Sequence, residues 1–249
     1  MPTVLITGCS SGFGLETAKL FLEKGWHVVA TMRQPEVNIL PVSDNLTVLQ
    51  LDVTDRDSIA SALRHARDID VLVNNAGFGA AVPIELIELD TARRLFETNT
   101  LGTLAMLQAI LPEFRRRRSG TIINVTSTVT LKPLPLVSVY RASKAAVNAL
   151  TESLAVEMHP FGVRVHIVLP GRSPETSFGS NAMPHLRGLD NPDYKPLIEG
   201  MIAGFREASG PVTYAADVAA AVWRAAIDPS APLRIAAGED AVQWMAEAV

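Results

Sequence analysis

Ser127, Tyr140 and Lys144 are the side chains in this 249-residue sequence whose types and spacing could do chemistry together. Tyr140 and Lys144 are four apart, so on a helix they lie one above the other on one face. Ser127 stands thirteen positions before Tyr140, just past Thr121-Ile-Ile-Asn-Val125, an apolar run that reads as a buried strand. A strand-end hydroxyl, a phenol and an ammonium converging on one point suit the movement of a proton on or off an alcohol oxygen. A free tyrosine has a pKa of about 10 and is a poor base at neutral pH. A cation one helical turn away lowers that value, so Lys144 is expected to activate Tyr140. Tyr140 then serves as general base in oxidation and general acid in reduction, with Ser127 bonding the substrate oxygen as charge develops on it.

Such a set needs a hydride carrier beside it, and the chain opens with elements that could hold one. Thr3 to Thr7 reads as a short buried strand, Gly8, Gly12 and Gly14 follow, and Leu15 to Lys24 has helical periodicity. Strand, glycine turn and helix form the entry to a dinucleotide-binding βαβ unit, where a helix N-terminus faces the pyrophosphate. Gly8, Ser10, Ser11, Gly12, Phe13 and Gly14 are therefore read as cofactor contacts. The spacing is G-x-x-x-G-x-G, and a plain glycine turn is the bland alternative. Gly8-Cys-Ser-Ser-Gly12 also matches the G-x-S-x-G nucleophile elbow, but only seven residues precede it, too few for the oxyanion loop that elbow requires. Cys9 reads as a small packed thiol.

The second strand, Val28 to Met32, ends without the acidic residue that holds a ribose 2′-hydroxyl in NAD binders. Arg33 stands there instead and could pair with a 2′-phosphate, which favours NADP over NAD. The alternatives are a solvated Arg33 or Glu36 bending back to the ribose. A third strand, Leu46 to Leu51, runs into Asp52 and Val53, with Asp52 either bonding the adenine amino group or making a turn. Asp55 reads as the cap of a helix through Ala66. Asp70 to Val73 is a fourth strand, leading into Asn74, Asn75, Ala76 and Gly77, a kink suited to a flat cofactor. A helix from Thr91 to Leu111 contains Asn99 and is closed by the arginines 115–118, whose charge suits a helix C-terminus. After the Tyr140 helix, which runs to Met158, Val163 to Leu169 is a sixth strand ending in Pro170 and Gly171. Residues 172–210 show little regular pattern and mix Gly and Pro with Phe178, Met183, Leu186, Leu189, Tyr194, Met201 and Phe205, as a substrate lid would. His185, alone of five histidines, falls where it could touch substrate. Ala215 to Ile227 is a helix, Leu233 to Ala236 a last strand, and the remainder a short tail.

Composition bounds the rest. A net charge of −4 disfavours a nucleic-acid partner, and 48% hydrophobic residues suffice for one buried core, so residues 1–249 read as a single domain. One cysteine excludes an internal disulfide and, with no leader or membrane span evident, a cytoplasmic setting is expected. No metal-ligand spacing occurs, and none is expected.

The ordered set Thr7-Gly8-x-x-x-Gly12-x-Gly14, Asp52-Val53, Asn74-Asn75-Ala76-Gly77, Asn99, Ser127, Tyr140-x-x-x-Lys144 and Pro170-Gly171 resembles the short-chain dehydrogenase/reductase family, its single-domain branch. The strand ending Ala30-Thr-Met-Arg33 is similar to the branch with 17β-hydroxysteroid and retinol dehydrogenases. The resemblance implies a Rossmann-type, doubly wound α/β domain. Its parallel sheet has seven strands in the order 3-2-1-4-5-6-7, with helices on both faces. It implies Asn99, Ser127, Tyr140 and Lys144 as a catalytic tetrad, with Lys144 holding the nicotinamide ribose and Asn99 anchoring a water. Asn75, Ala76, Gly77, Tyr140, Lys144, Pro170 and Gly171 join the cofactor contacts. A family threonine at the nicotinamide carboxamide is replaced by Glu175, with Thr176 one later and Ser173 a rival. The activity implied is hydride transfer between a nicotinamide and an alcohol, ketone or aldehyde, in a homodimer or tetramer; the Phe, Met and Leu content of residues 172–210 points to an apolar substrate. A catalytically silent dinucleotide binder and a same-fold epimerase or dehydratase are the competing readings.

Overall fold

The computed structural model describes residues 1–35, 37–66, 68–176, 178–207 and 210–248, without the side chains of 37, 178, 180 and 205–207. Seven parallel strands make one sheet in the order β3-β2-β1-β4-β5-β6-β7. They are β1 (Thr3–Thr7), β2 (His27–Met32), β3 (Leu46–Gln50), β4 (Val71–Asn74), β5 (Gly120–Val125), β6 (Val163–Pro170) and β7 (Arg234–Ala237). Every residue of β1 is buried, as a strand covered on both faces must be. Alternation along β1 sends Val4 and Ile6 to one face and Leu5 to the other. The first face packs on α1 (Gly12–Glu23) and α8 (Ala215–Ile227) through Phe21, Val218 and Val222. The second packs on α4 (Gly102–Arg117) and α5 (Ser138–Met158) through Met106, Leu107, Phe114 and Leu154. The strand order reverses between β1 and β4, and in open α/β sheets ligands bind at the strand C-termini there.

Several boundaries differ from the sequence expectation, each for a physical reason. α1 starts at Gly12, not Leu15, because Gly12, Phe13 and Gly14 form its first turn behind the extended Ser11. α2 (Arg56–His65) begins where expected, with the Asp55 carboxylate accepting from the Asp57 and Ser58 amides, a cap of about 1 kcal/mol. The helix expected over 91–111 is three pieces: α3 (Leu89–Phe96), a π-turn (Glu97–Leu101) and α4. The widened turn contains Asn99, and such turns cluster at functional sites. Residues 172–210 are not patternless: α6 (Phe178–Ala182) and α7 (Lys195–Glu207) lie within them. α7 carries two glycines and a proline, which depress helix propensity and hide its period. The side chains of Phe178 and Phe205, placed in the lid on sequence grounds, lie outside the described residues. The expected C-terminal tail is instead a helix, α9 (Glu239–Glu247). Among the described residues no helix is long and apolar enough to cross a membrane.

Candidate active site

The end of β1 is tied to the end of β4 by side chains. The Thr7 hydroxyl accepts the Asn75 and Ala76 amides, each at 3.0 Å. Asn75 Nδ2 donates back to the Thr7 and Gly8 carbonyls at 2.9 and 3.1 Å. The glycines then meet specific needs. Gly8 (φ +75°) stands so close to Ala76 that a Cβ would lie 2.9 Å from its Cα, and a Cβ at Gly14 would collide with the Gly8 carbonyl. Gly14 thus seats α1 on the turn, while Gly8, Ser10, Ser11, Gly12 and Phe13 line a cleft of about 670 Å³. That cleft runs past Arg33, Asp52 and Val53 at one end and Asn75, Ala76 and Gly77 along its floor, to Tyr140 and Lys144. Asp52 faces it and also makes a turn, with Oδ1 accepting the Thr54 amide and hydroxyl. Glu36, the alternative ribose partner, lies outside the described residues.

α5 brings Tyr140 and Lys144 to the cleft because its buried face repeats at 140, 144, 147, 151, 154 and 158. A buried amide ladder sets its height: Asn74 Nδ2 donates to Asn124 Oδ1, and Asn124 Nδ2 to Thr151 Oγ1, each at 2.8 Å. Ser127 caps the short turn Thr128–Thr130 at the end of β5, its Oγ accepting the Val129 amide at 3.3 Å. Its hydroxyl is also hydrogen-bonded to the Tyr140 phenol. Lys144 Nζ donates to the Val125 carbonyl at 3.0 Å. The triad foreseen from spacing is therefore assembled at one point.

The electrostatics differ from expectation in one respect. Burial pushes the Tyr140 phenol up, and the Ser127 hydrogen bond offsets this only in part. The lowering expected from Lys144 does not prevail in the protein alone, because desolvation penalises the phenolate more than its surroundings stabilise it. The same burial brings Lys144 down from 10.5 to about 8. Cys9 is fully buried, donates to the Ile6 carbonyl and is pushed up to about 12, an inert packed thiol.

Asn99 lies behind Gly77. Its carboxamide bonds both backbone groups of Phe78 at 3.0 Å and donates to Ser143 Oγ, which in turn donates to the Tyr140 carbonyl. A Cβ at Gly77 would sit 2.8 Å from Asn99 Oδ1 and 3.3 Å from Lys144 Nζ, so both groups border one space. Ser143 went unnoticed in the sequence, although its place between Tyr140 and Lys144 on a buried helix face was the available signal. Thr126 was missed too: it lines the cleft, with its Oγ1 buried and unpartnered among the described residues.

Beyond Pro170, Thr176 lines the cleft opposite Gly12, its Oγ1 donating to the Ser173 carbonyl. Ser173 Oγ is buried without a partner among the described residues, and Glu175 accepts the Ala215 amide at 2.6 Å, capping α8. Gly171 does not line the cleft; a Cβ there would overlap the Asp240 carboxylate. Asn181 and His185 border the cleft from the segment read as a lid, His185 against the Phe78 ring at 5.4 Å between centroids. Arg187 pairs with Glu88 at 3.6 Å. No group of three or more His, Cys, Asp or Glu able to hold a metal occurs among the described residues.

Comparison with known proteins places these features. The short chain dehydrogenase family model matches residues 2–184. Retinol dehydrogenase 8 of Homo sapiens is 39% identical over 180 residues, 68% of this chain and 58% of that protein. The 3-ketodihydrosphingosine reductase of Bacteroides thetaiotaomicron is 39% identical over 172 residues, 68% of this chain and 62% of that protein. The matches thus span less than two thirds of these relatives. The closed form of a serine dehydrogenase complexed with NADP+ superposes with a TM-score of 0.83 at 28% identity, covering 96% of this chain and 95% of that one.

Proposed function

The chain belongs to the short-chain dehydrogenase family, and on that premise we propose that it is an NADP-dependent oxidoreductase acting on an apolar alcohol, ketone or aldehyde, with Tyr140 as general acid and base. The observation that carries this reading is the hydrogen-bonded Ser127–Tyr140 pair, one helical turn from Lys144, at the end of a glycine-walled cleft. The residues fit a dinucleotide: the wall is free of side chains at Gly8, Gly12 and Gly77, and Thr126 Oγ1 lacks a partner.

When bound, the nicotinamide supplies or accepts the hydride and, in its oxidised form, adds a positive charge beside the phenol. Ser127 and Tyr140 both bond the carbonyl oxygen of the substrate. As the carbon is reduced, the oxygen takes the Tyr140 proton, so the raised phenol keeps the proton in place until charge develops on its partner. In the reverse direction Tyr140 removes the alcohol proton, and the cations beside it make the phenolate accessible. Lys144 holds the ribose and Ser127 bonds the developing oxyanion. Asn99 and Ser143 fix the height of Tyr140 through its carbonyl. Thr176 takes the carboxamide end of the cleft and Arg33 the 2′-phosphate end. Phe78 and the segment bearing Asn181 and His185 form the substrate mouth. Loss of NADPH absorbance across a panel of apolar ketones and aldehydes tests the activity; binding of NADPH with no turnover on any of them would instead support a silent binder.

Two outcomes follow from the cleft's charges. Arg33→Ala is expected to raise the dissociation constant for NADPH about tenfold or more and that for NADH less than about twofold, because only the former loses a phosphate partner. Fluorescence titration with both nucleotides checks this, and equal changes would remove the basis for NADP preference. Lys144 in the free protein titrates near 8, below the 10.5 of an ordinary lysine, so it is charged below that value and neutral above it. NADPH affinity is therefore expected to fall as pH rises through about 8. A titration series across that range reads this directly.

A further inference from the structure

The glycine after Pro170 leads to a device at the far end of the chain. Gly171 lacks a side chain where the Asp240 carboxylate stands. Asp240, at the start of α9, is buried, and its Oδ2 accepts the Arg172 amide at 2.6 Å. Its Oδ1 takes the Thr213 hydroxyl at 2.6 Å. That same hydroxyl accepts the Gly171 amide at 2.9 Å and lies 2.8 Å from the Ala237 carbonyl. Thr213 has one proton for two acceptors, and the carboxylate, carrying charge, is the stronger claimant. Thr213 also donates its own amide to the Arg172 carbonyl at 2.8 Å. The β7–α9 corner wraps this threonine closely: Gly238 has φ +99°, and a Cβ there would overlap the Thr213 side chain. Two consecutive backbone amides at the root of the 171–176 loop thus end on one carboxylate, directly and through one hydroxyl. At the loop's other end Glu175 is fastened to the N-terminus of α8, and Thr176 faces the cleft. Both Thr213 and Asp240 lie beyond the residues 2–184 matched by the family model.

We propose that Asp240, acting with Thr213, is a positioning residue that fixes the 171–176 loop so that Thr176 meets the nicotinamide half of the bound dinucleotide. This rests on the reading of the cleft as a nicotinamide dinucleotide site. A buried carboxylate satisfied by two donors holds their angle as well as their distance; removing it takes from the Arg172 amide this acceptor and turns the Thr213 proton wholly to the Ala237 carbonyl. The loop then relaxes at its root, and Thr176, four residues on from Arg172, moves with it. The adenine end of the cleft, built by Arg33 just after β2 and Asp52 after β3, has no part in this linkage.

The test uses two nucleotides on the full chain. NADPH reports the whole cleft, and adenosine 2′,5′-bisphosphate reports the adenine end without nicotinamide. Asp240→Ala and Thr213→Val are each expected to weaken NADPH about tenfold while changing adenosine 2′,5′-bisphosphate less than about twofold. Asp240→Asn is expected to restore most of the NADPH affinity. Its amide oxygen still accepts from Arg172, and its NH2 can donate to Thr213. Thr213→Val keeps the volume of the threonine and serves should Asp240→Ala fail to fold. Equal weakening of both nucleotides in Thr213→Val, or no change in either, would overturn the proposal while leaving the cleft's function standing. Failure of the unaltered protein to bind either nucleotide would overturn the functional reading and this inference together.

Discussion

Tyr140→Phe is expected to lower turnover by about a thousandfold or more and to change the NADPH dissociation constant by less than about threefold. The side chain is buried, and phenylalanine has the same ring, so the cavity and the packing against Leu95 of α3 and against Ala80 and Val82 survive. What goes is one oxygen. Ser127 loses its hydrogen-bond partner, and the substrate oxygen loses the proton that must arrive as the carbon accepts hydride. Water cannot substitute easily at a wall this buried. Because the phenol is held protonated by burial in the free protein, the loss is expected in the reductive direction at neutral pH, with no dependence on a prior ionisation. Steady-state turnover with the best carbonyl found in the panel, alongside nucleotide titration, separates the two numbers. A fall in NADPH affinity matching the fall in turnover would assign Tyr140 to binding instead.

The second large effect belongs to Lys144→Met. Methionine matches the length of the lysine stem and is at ease in an apolar site, so the fold is expected to tolerate it. The Val125 carbonyl loses a donor, a cost of about 1–3 kcal/mol. That is offset by removing a buried ammonium whose desolvation already brings its pKa down to about 8. The thermal midpoint should therefore move by only a few degrees. Activity should not survive so well. The ribose loses its anchor and Tyr140 loses the nearby cation, so turnover is expected to fall about a hundredfold to a thousandfold, with NADPH affinity down about tenfold. The affinity that remains should also lose its dependence on pH near 8. A variant that unfolds would show instead that the ammonium holds β5 to α5; a folded variant with unaltered turnover would remove Lys144 from the mechanism.

The legible parts of this protein were those whose signal is local. Tyr140 and Lys144 are one turn apart, and helix geometry alone puts them together. The β1–glycine–α1 entry and the bounds of α8 could be read from periodicity. The less legible parts depend on partners distant in sequence. The direction in which Tyr140 is shifted follows from burial, a property of the packed molecule. A pairwise reading of phenol and ammonium omitted it and gave the opposite sign. Glycines looked alike in sequence but do different things. Gly8 and Gly12 border the cleft, Gly14 seats a helix, and Gly171 admits the carboxylate of Asp240 from the far end of the chain. Asp240 itself lay in what read as a tail. α9 is short and begins behind a glycine, so no period announced it. Likewise α7, with Gly200, Gly204 and Pro196, is a helix by tertiary packing around Ile198 more than by propensity.

The measurement that bears most directly on the mechanism is a crystal structure of the protein with NADP+ and an unreactive carbonyl analogue. The Tyr140 and Ser127 hydroxyls should both lie within about 2.6–3.2 Å of the analogue's oxygen. The nicotinamide C4 should stand about 3–3.5 Å from its carbonyl carbon. A nicotinamide ring seated elsewhere in the cleft, or a Tyr140 hydroxyl turned from that oxygen, would contradict the assignment of Tyr140 as the proton carrier.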